Sequence, residues 1–205
     1  MIAASGVEGI SQDLSETELL ASVRAGERDA FADVVRRHTS IAHRTAVLLG
    51  AGSDADDVVQ EAFVKAYRAL PSFREDQPFR PWLLRIVANE TRNLYRSASR
   101  RRARERIAED PALLLPAIGD TADPADTAID RERRQALWTA LMVLAEPQRT
   151  VLICRYLLDL DEAETAAVLG IAKGTVKSRC HRGLRSLRMT MPSEQAASLG
   201  GATDG

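Results

Sequence analysis

The sequence predicts an all-α protein made of two small helical units joined by a flexible linker, and three observations lead there. Aromatics make up only 4% of the 205 residues, with few Gly (12) and Pro (8). Ala, Leu, Arg and Glu, which lose little on entering a helix, are plentiful by contrast. Apolar residues recur at helical spacing through most of the chain. One stretch, residues 105–128, departs from both habits: its Pro, Asp, Ala, Thr and Gly show no period, which marks a linker. With 45% hydrophobic and 28% charged residues, the chain can fill a core on either side of it.

Residues 1–14 are aperiodic and contain Gly and Ser, so a loose leader is expected. The first helix lies in SETELLASVRAG, where Ser15 and Glu18 have capping-box spacing and Gly26 ends the pattern. A second helix is predicted from Asp29 to about Leu49, with Phe31, Val34, Val35, Ile41, Ala42 and Leu48 inward, until GAGS breaks it. The third begins at Ser53 or Asp54 and runs to Pro71. Acids fill its first turn, where they suit the positive end of the helix dipole, and Val58, Val59, Ala62, Phe63 and Ala66 form its buried side. SFREDQPFRP is then a loop, and a fourth helix follows from Pro81 to about Arg104, Pro81 suiting a first turn. The first unit is thus 15–104, the second 129–191, and 192–205 a disordered tail.

The net charge of −1 conceals segregation. Arg80 to Arg106 carries nine Arg against Glu90 and Glu105. Lys173 to Arg188 carries two Lys and four Arg with no acid, whereas Glu109 to Asp130 carries six acids and no base. Clustered cations gain affinity by releasing counterions from phosphates, so two basic blocks suggest two contacts with nucleic acid. No cationic stretch leads into an apolar one at the N-terminus and no apolar run approaches the ~18 residues of a membrane span, so a cytoplasmic protein is expected. Cys154 and Cys180 are too few for a disulfide scaffold or a zinc site and are expected to be reduced thiols.

The most specific signal is LDLDEAETAAVLGIAKGTVKSRCHRGLRSLRM. Asp161 can cap a short helix whose Ala163, Ala166, Ala167 and Leu169 pack inward. Gly170 permits a tight turn, Ile171 anchors it, and a new helix starts near Lys173: the plan of a helix-turn-helix. On that helix Val176, Cys180, Leu184 and Leu187 share one side, and Ser178, His181, Arg182 and Arg185 lie broadly opposite. Ser178, His181 and Arg182 are candidates for base edges in a major groove; Lys173, Lys177, Arg179 and Arg185 are better placed for phosphates. The plainer alternative is a solvated basic face, though such helices usually mix both signs. His181 beside Cys180 does not suggest a metal site, because adjacent helical positions diverge.

Leu160 to Arg179, above all Gly170 with GTVKSR, resembles the region 4 helix-turn-helix of bacterial sigma factors of the extracytoplasmic-function (ECF) type. In that family this region reads the −35 promoter element as duplex, and the resemblance adds Thr175 to the −35 set. Asp161, Thr165 and Ala172 depart from the residues common there, Asp161 still being a cap. Likewise DADDVVQEAFVKAYRAL resembles sigma region 2.2, and FRPWLLRIVANETRNLYR regions 2.3 and 2.4.

In the first unit, Asp57, Gln60 and Glu61 fall within about one turn of each other. By themselves they read equally well as dipole compensation and solubility. The resemblance implies a patch that docks on a coiled coil in the largest subunit of RNA polymerase core enzyme. The fourth helix separates Trp82, Leu83, Ile86, Val87 and Leu94 from Arg85, Asn89, Arg92 and Arg96, so one side can follow a phosphate backbone. Six of nine aromatics lie in or near this stretch, and rings beside Arg can hold unstacked bases. For Phe63, Tyr67 and Trp82 a core role is at least as good a reading. Phe73 and Phe79, on a Pro-bounded polar loop, are expected at the surface. The resemblance implies that this loop and the start of the helix capture a flipped base of the −10 element, with Asn89 lining the pocket; an amide offers both donor and acceptor.

The implied protein binds RNA polymerase core, recognises −35 and −10 elements and promotes DNA melting, held in check by an anti-sigma factor. An alternative is an autonomous helix-turn-helix regulator, which would be a dimer on a palindrome. No Gly-rich phosphate loop, metal-ligand cluster or nucleophile with a base is visible, so neither an enzyme nor a cofactor or metal is expected.

Overall fold

A computed structural model describes the backbone of residues 14–102 and 128–190 and the side chains of 14–94 and 133–190. Nearly all of the expected leader, the linker and the tail lie outside the described residues. Eight α-helices and no strand occur among the described residues. Helix α1 (Glu16–Arg24) starts at the expected capping box: the Glu18 amide donates to Ser15 Oγ at 3.3 Å, and the Ser15 amide donates to the Glu18 carboxylate at 2.8 Å. Helices α2 (Arg28–Leu48), α3 (Ala55–Ala69) and α4 (Phe79–Arg102) complete the first bundle. Its core is Leu19, Val34, Ala62, Phe63, Leu70, Phe79, Leu83 and Val87, with the predicted inward residues of α3 all buried. Between α3 and α4, Lys65 reaches Glu90 at 2.5 Å.

The second bundle comprises α5 (Ala128–Val143), α6 (Glu146–Leu152) continued by a π-helical turn at Ile153–Leu157, α7 (Glu162–Leu169) and α8 (Lys173–Thr190). Trp138, Leu141, Leu144, Ile153, Leu158, Leu160, Val168 and Leu187 fill its interior. α8 can lie close on α6 because residue 183 is glycine. A Cβ there would stand 3.0 and 3.2 Å from two side-chain carbons of Leu152. On α7 the inward residues are Thr165, Ala166 and Val168, while Ala167 is exposed and Ala163 and Leu169 are half-buried. This corrects the expected face: α7 packs against α4 as well as α8, which turns positions 165 and 168 inward.

The two bundles share a core. Leu48, Leu84 and Ala88 of the first belong to the same buried cluster as Trp138, Ile153 and Leu158 of the second. Leu84 is fully buried, and Arg80 Nη2 donates to the Leu158 carbonyl at 2.9 Å. Positions 84, 88 and 91, all buried, form a second stripe on α4 at helical spacing, beside the one that faces its own bundle.

Candidate functional site

The helix-turn-helix is built from local sequence. Asp161 Oδ1 accepts the Glu164 amide at 2.8 Å, while the Asp161 amide donates to the Glu164 carboxylate at 2.9 Å. The first of these bonds is the main reason the Asp161 carboxyl titrates below its ordinary range. At the other end of α7, Gly170 takes φ 66°, ψ 38°, a left-handed conformation that a Cβ disfavours, and its amide donates to the Ala166 carbonyl. The chain thereby reverses within Gly170–Ala172, and Ala172 accepts the amides of Thr175 and Val176 as α8 begins.

On α8, Val176, Gly183 and Leu187 are buried, and Cys180 and Leu184 half-buried, closing the core. Lys173, Lys177, Ser178, His181, Arg182 and Arg185 are exposed, while Thr175 and Arg179 are half-buried. Ser178 Oγ donates to the Thr175 carbonyl at 3.1 Å and Arg182 Nε to the Ser178 carbonyl at 3.2 Å, holding both side chains near the helix. The result is a solvent-facing row of cations on a helix without an acid, backed by a rigid apolar side. Cys154, buried in the same core cluster as Leu187, has its thiol pKa pushed up to about 12 by burial.

In the first bundle, Arg85 and Asn89 are exposed on α4 and Arg92 is half-buried, donating through Nη1 to Asn89 Oδ1 at 2.8 Å. Arg96 falls on the helix, but its side chain lies outside the described residues. Phe73 and Phe79 depart from the surface placement expected of them: they are 7% and 2% exposed. With Trp82 they form one cluster of rings, centroids 4.9 to 5.6 Å apart, and His38 stacks edge-on against Phe79 at 5.2 Å. The polarity of the loop belongs to Arg74–Pro78, all exposed, and the flanking rings anchor it from below. Only an exposed π-face can receive a base.

Asp57, Gln60 and Glu61 are exposed on α3, with Glu61 3.5 Å from Lys65. Of the three, Gln60 lines a groove of about 810 Å³ between α2 and α3, together with Asp56, Phe31, Val35, Phe63, Val64 and Tyr67 among others, while Asp57 and Glu61 lie outside its lining. Val64 and Tyr67 are 37% and 44% exposed, and Tyr67 packs on Phe31 at a centroid distance of 4.8 Å. This apolar strip was missed from the sequence. Its signal was the i, i+4, i+7 spacing of Gln60, Val64 and Tyr67, which puts two large apolar residues on the patch's own face. Among the described residues no group of three His, Cys, Asp or Glu could hold a metal, and no helix is long and apolar enough to cross a membrane.

Comparison with known proteins finds two family patterns in this chain: sigma-70 region 2 over residues 31–101 and sigma-70 region 4 over residues 134–187. The chain is 39% identical over 175 residues to the ECF RNA polymerase sigma factor SigM of Mycobacterium tuberculosis, covering 85% of this chain and 83% of the relative. It is 34% identical over 179 residues to the ECF RNA polymerase sigma-E factor of Escherichia coli strain K12, covering 84% and 92%. Among solved structures, CnrH in complex with the cytosolic domain of CnrY matches with a TM-score of 0.61 at 29% identity, covering 84% of this chain and 94% of that one. The sigma factor RpoE of Bartonella quintana, solved with the anti-sigma factor NepR, shares the fold with a TM-score of 0.60 at 22% identity, covering 77% and 96%. Two helical bundles, a capped helix-turn-helix with an all-basic second helix and these matches across most of the chain lead to one assignment: the chain belongs to the sigma-70 family, in its ECF group.

Proposed function

We propose that this chain is a promoter-specificity subunit of RNA polymerase, a DNA-binding initiation factor with no catalytic step of its own. The observation that carries the reading is the outward face of α8, where exposed Ser178, His181 and Arg182 sit among Lys173, Lys177 and Arg185. In a major groove the first three meet base edges of the −35 element. The cations, with half-buried Arg179 and Thr175 at the start of the helix, hold the flanking phosphates. On α4, Arg85, Arg92 and Arg96 follow the −10 backbone while Asn89 and the exposed carboxamide of Gln77 face the unpaired base. Phe73 and Phe79 support that loop from the core, in place of the stacking expected of them. The acidic patch Asp57, Gln60 and Glu61, continued by the Val64–Tyr67 strip, docks on core polymerase.

The closed packing of the two bundles bears on control. Arg85 Nη2 lies 3.7 Å from where a Cβ on Gly170 would stand, so part of the −10 face points at the turn of the −35 reader. The −10 and −35 elements lie about 25 base pairs, or roughly 85 Å, apart along the helix axis, whereas a compact chain of 205 residues has a radius of gyration of only about 17 Å. The bundles must therefore part before both elements are held, and an anti-sigma factor that stabilises the closed form keeps the chain silent. CnrH, solved with the cytosolic domain of CnrY, and RpoE, solved with the anti-sigma factor NepR, support control by a bound partner. The test is to add the purified chain to core polymerase and sequence transcript 5′ ends from genomic fragments. New starts sharing two spaced elements are expected. A chain that binds no core, or that footprints a palindrome as a tight dimer, overturns the proposal.

A further inference from the structure

Arg24, the last residue of α1, lies upstream of the region 2 match, which begins at residue 31. Its guanidinium nevertheless serves the loop before α4, about fifty positions on. Nη1 pairs with the Glu75 carboxylate, Nη2 donates to the Phe73 carbonyl, and Nε donates to the Leu70 carbonyl at 3.4 Å. The same group stands over the Phe73 ring, 5.9 Å from its centroid. The planar guanidinium fork can meet several fixed acceptors at once, which an ammonium cannot do. Arg24 is 23% exposed and Glu75 65%, so solvent and salt screen the ion pair, and the bonds to the Phe73 and Leu70 carbonyls hold the guanidinium in place.

We propose that Arg24 is a positioning residue for −10 recognition: it fixes the backbone of the Phe73–Pro78 loop and cancels the charge of Glu75 beside the DNA path. The inference rests on reading that loop as part of the −10 grip. Two acids, Glu75 and Asp76, stand exposed on a loop meant to lie near phosphates, and each has its own arginine. Asp76 is held within the loop, Arg74 Nε and Nη2 donating to its two oxygens at 3.1 and 2.7 Å. Glu75 has Arg24, which comes from outside the loop and so also ties it to the bundle. The turn Leu70–Ser72 and the amide of Phe73, which donates to the Leu70 carbonyl at 3.1 Å, orient the loop's entry. The Phe73 ring holds it from below, against Phe79 and Trp82. Arg24 supplies the remaining side of the frame. An inner group set by such outer hydrogen bonds loses its geometry when they are removed.

The experiment uses the full chain assembled with core polymerase. Affinity is measured for a single-stranded −10 oligonucleotide from a mapped promoter, for the same strand with the captured base replaced, and for the −35 duplex. For Arg24→Ala, affinity for the cognate strand falls on the order of tenfold and discrimination against the replaced base narrows, the −35 affinity being unchanged. Arg24→Lys, which keeps the charge but not the fork, is intermediate. Glu75→Gln in the Arg24→Ala background recovers part of the loss. A uniform drop in all three affinities, or a cognate affinity and discrimination both unchanged, overturns the role of Arg24. A replacement of residues 74–77 by Gly and Ser separates the two levels of inference. If it abolishes discrimination while Arg24→Ala does not, only the positioning role falls. If it has no effect, the −10 reading of the loop falls, and the role of Arg24 with it.

Discussion

Leu84→Ala tests the packing between the two bundles. Leu84 is fully buried and belongs to the cluster formed with Trp138, Ile153 and Leu158 of the second bundle, whereas Leu83 and Val87 on the same helix belong to the core of the first. Truncating a buried leucine removes its transfer free energy and leaves a cavity, together about 2–5 kcal/mol. The cluster also holds Leu48 and Ala88 of the first bundle, so the cost divides between the closed arrangement and α1–α4. At about 1.4 kcal/mol per tenfold, a loss of about 2 kcal/mol against the second bundle shifts the opening equilibrium by about 30-fold. The residues between Arg102 and Ala128, about 25 of them, can reach ~85 Å when extended, so nothing covalent prevents separation. Small-angle X-ray scattering of the isolated chain reads the result directly, with a radius of gyration rising above the compact value of about 17 Å. Open-complex formation in the absence of any inhibitor should rise in parallel. If Leu84→Ala lowers the thermal midpoint of the first bundle while the radius stays compact, the leucine supports its own bundle and does not hold the two bundles together.

Three further outcomes follow from the site. Gly170→Ala forces a Cβ into a left-handed residue at a cost of roughly 1–2 kcal/mol. The added carbon meets nothing closer than Arg85 at 3.7 Å, so Gly170→Asn, which tolerates that conformation, should recover −35 affinity where Ala loses it in a mobility-shift assay. The depressed carboxyl of Asp161 means that its cap stabilises α7 above the ordinary aspartate pKa and is lost as pH falls through the lower folded-state value. Acid titration followed by circular dichroism should therefore show a stability loss on the acid side that Asp161→Asn lacks. Arg182→Ala should cost about 1–3 kcal/mol and relax preference at one −35 position, whereas Lys177→Ala should weaken all sequences alike and reduce the salt slope by about 1. Equal effects on every sequence from both would remove Arg182 from the base-reading set.

Much of this chain was legible without coordinates because its signals are local. Ser15 with Glu18, and Asp161 ahead of its helix, announce caps through groups within three residues. Gly170 announces a left-handed turn because no other residue takes that conformation so cheaply, and the acid-free run from Lys173 to Arg188 announces an outward basic face. The sigma-70 resemblance rested on the same short motifs. Where the reading failed, the deciding partner was distant. Phe73 and Phe79 sit on a polar, Pro-bounded loop and looked exposed, yet Trp82 and His38 from other turns of the bundle close over them. Ala167 looked inward until α4 was found packed against α7.

The first four helices and the helix-turn-helix, the caps of α1 and α7, the apolar sides of α3 and α8 and the segregation of charge were determined by sequence alone, since each depends on residues within a turn or two. Only the tertiary structure decided that Leu84 and Ala88 bury themselves in the other bundle, that Arg24 reaches the loop before α4, and that Val64 and Tyr67 remain uncovered. A second apolar stripe on a helix states that something will cover it. Which surface does so depends on the shape of two folded units and on the long chain between them.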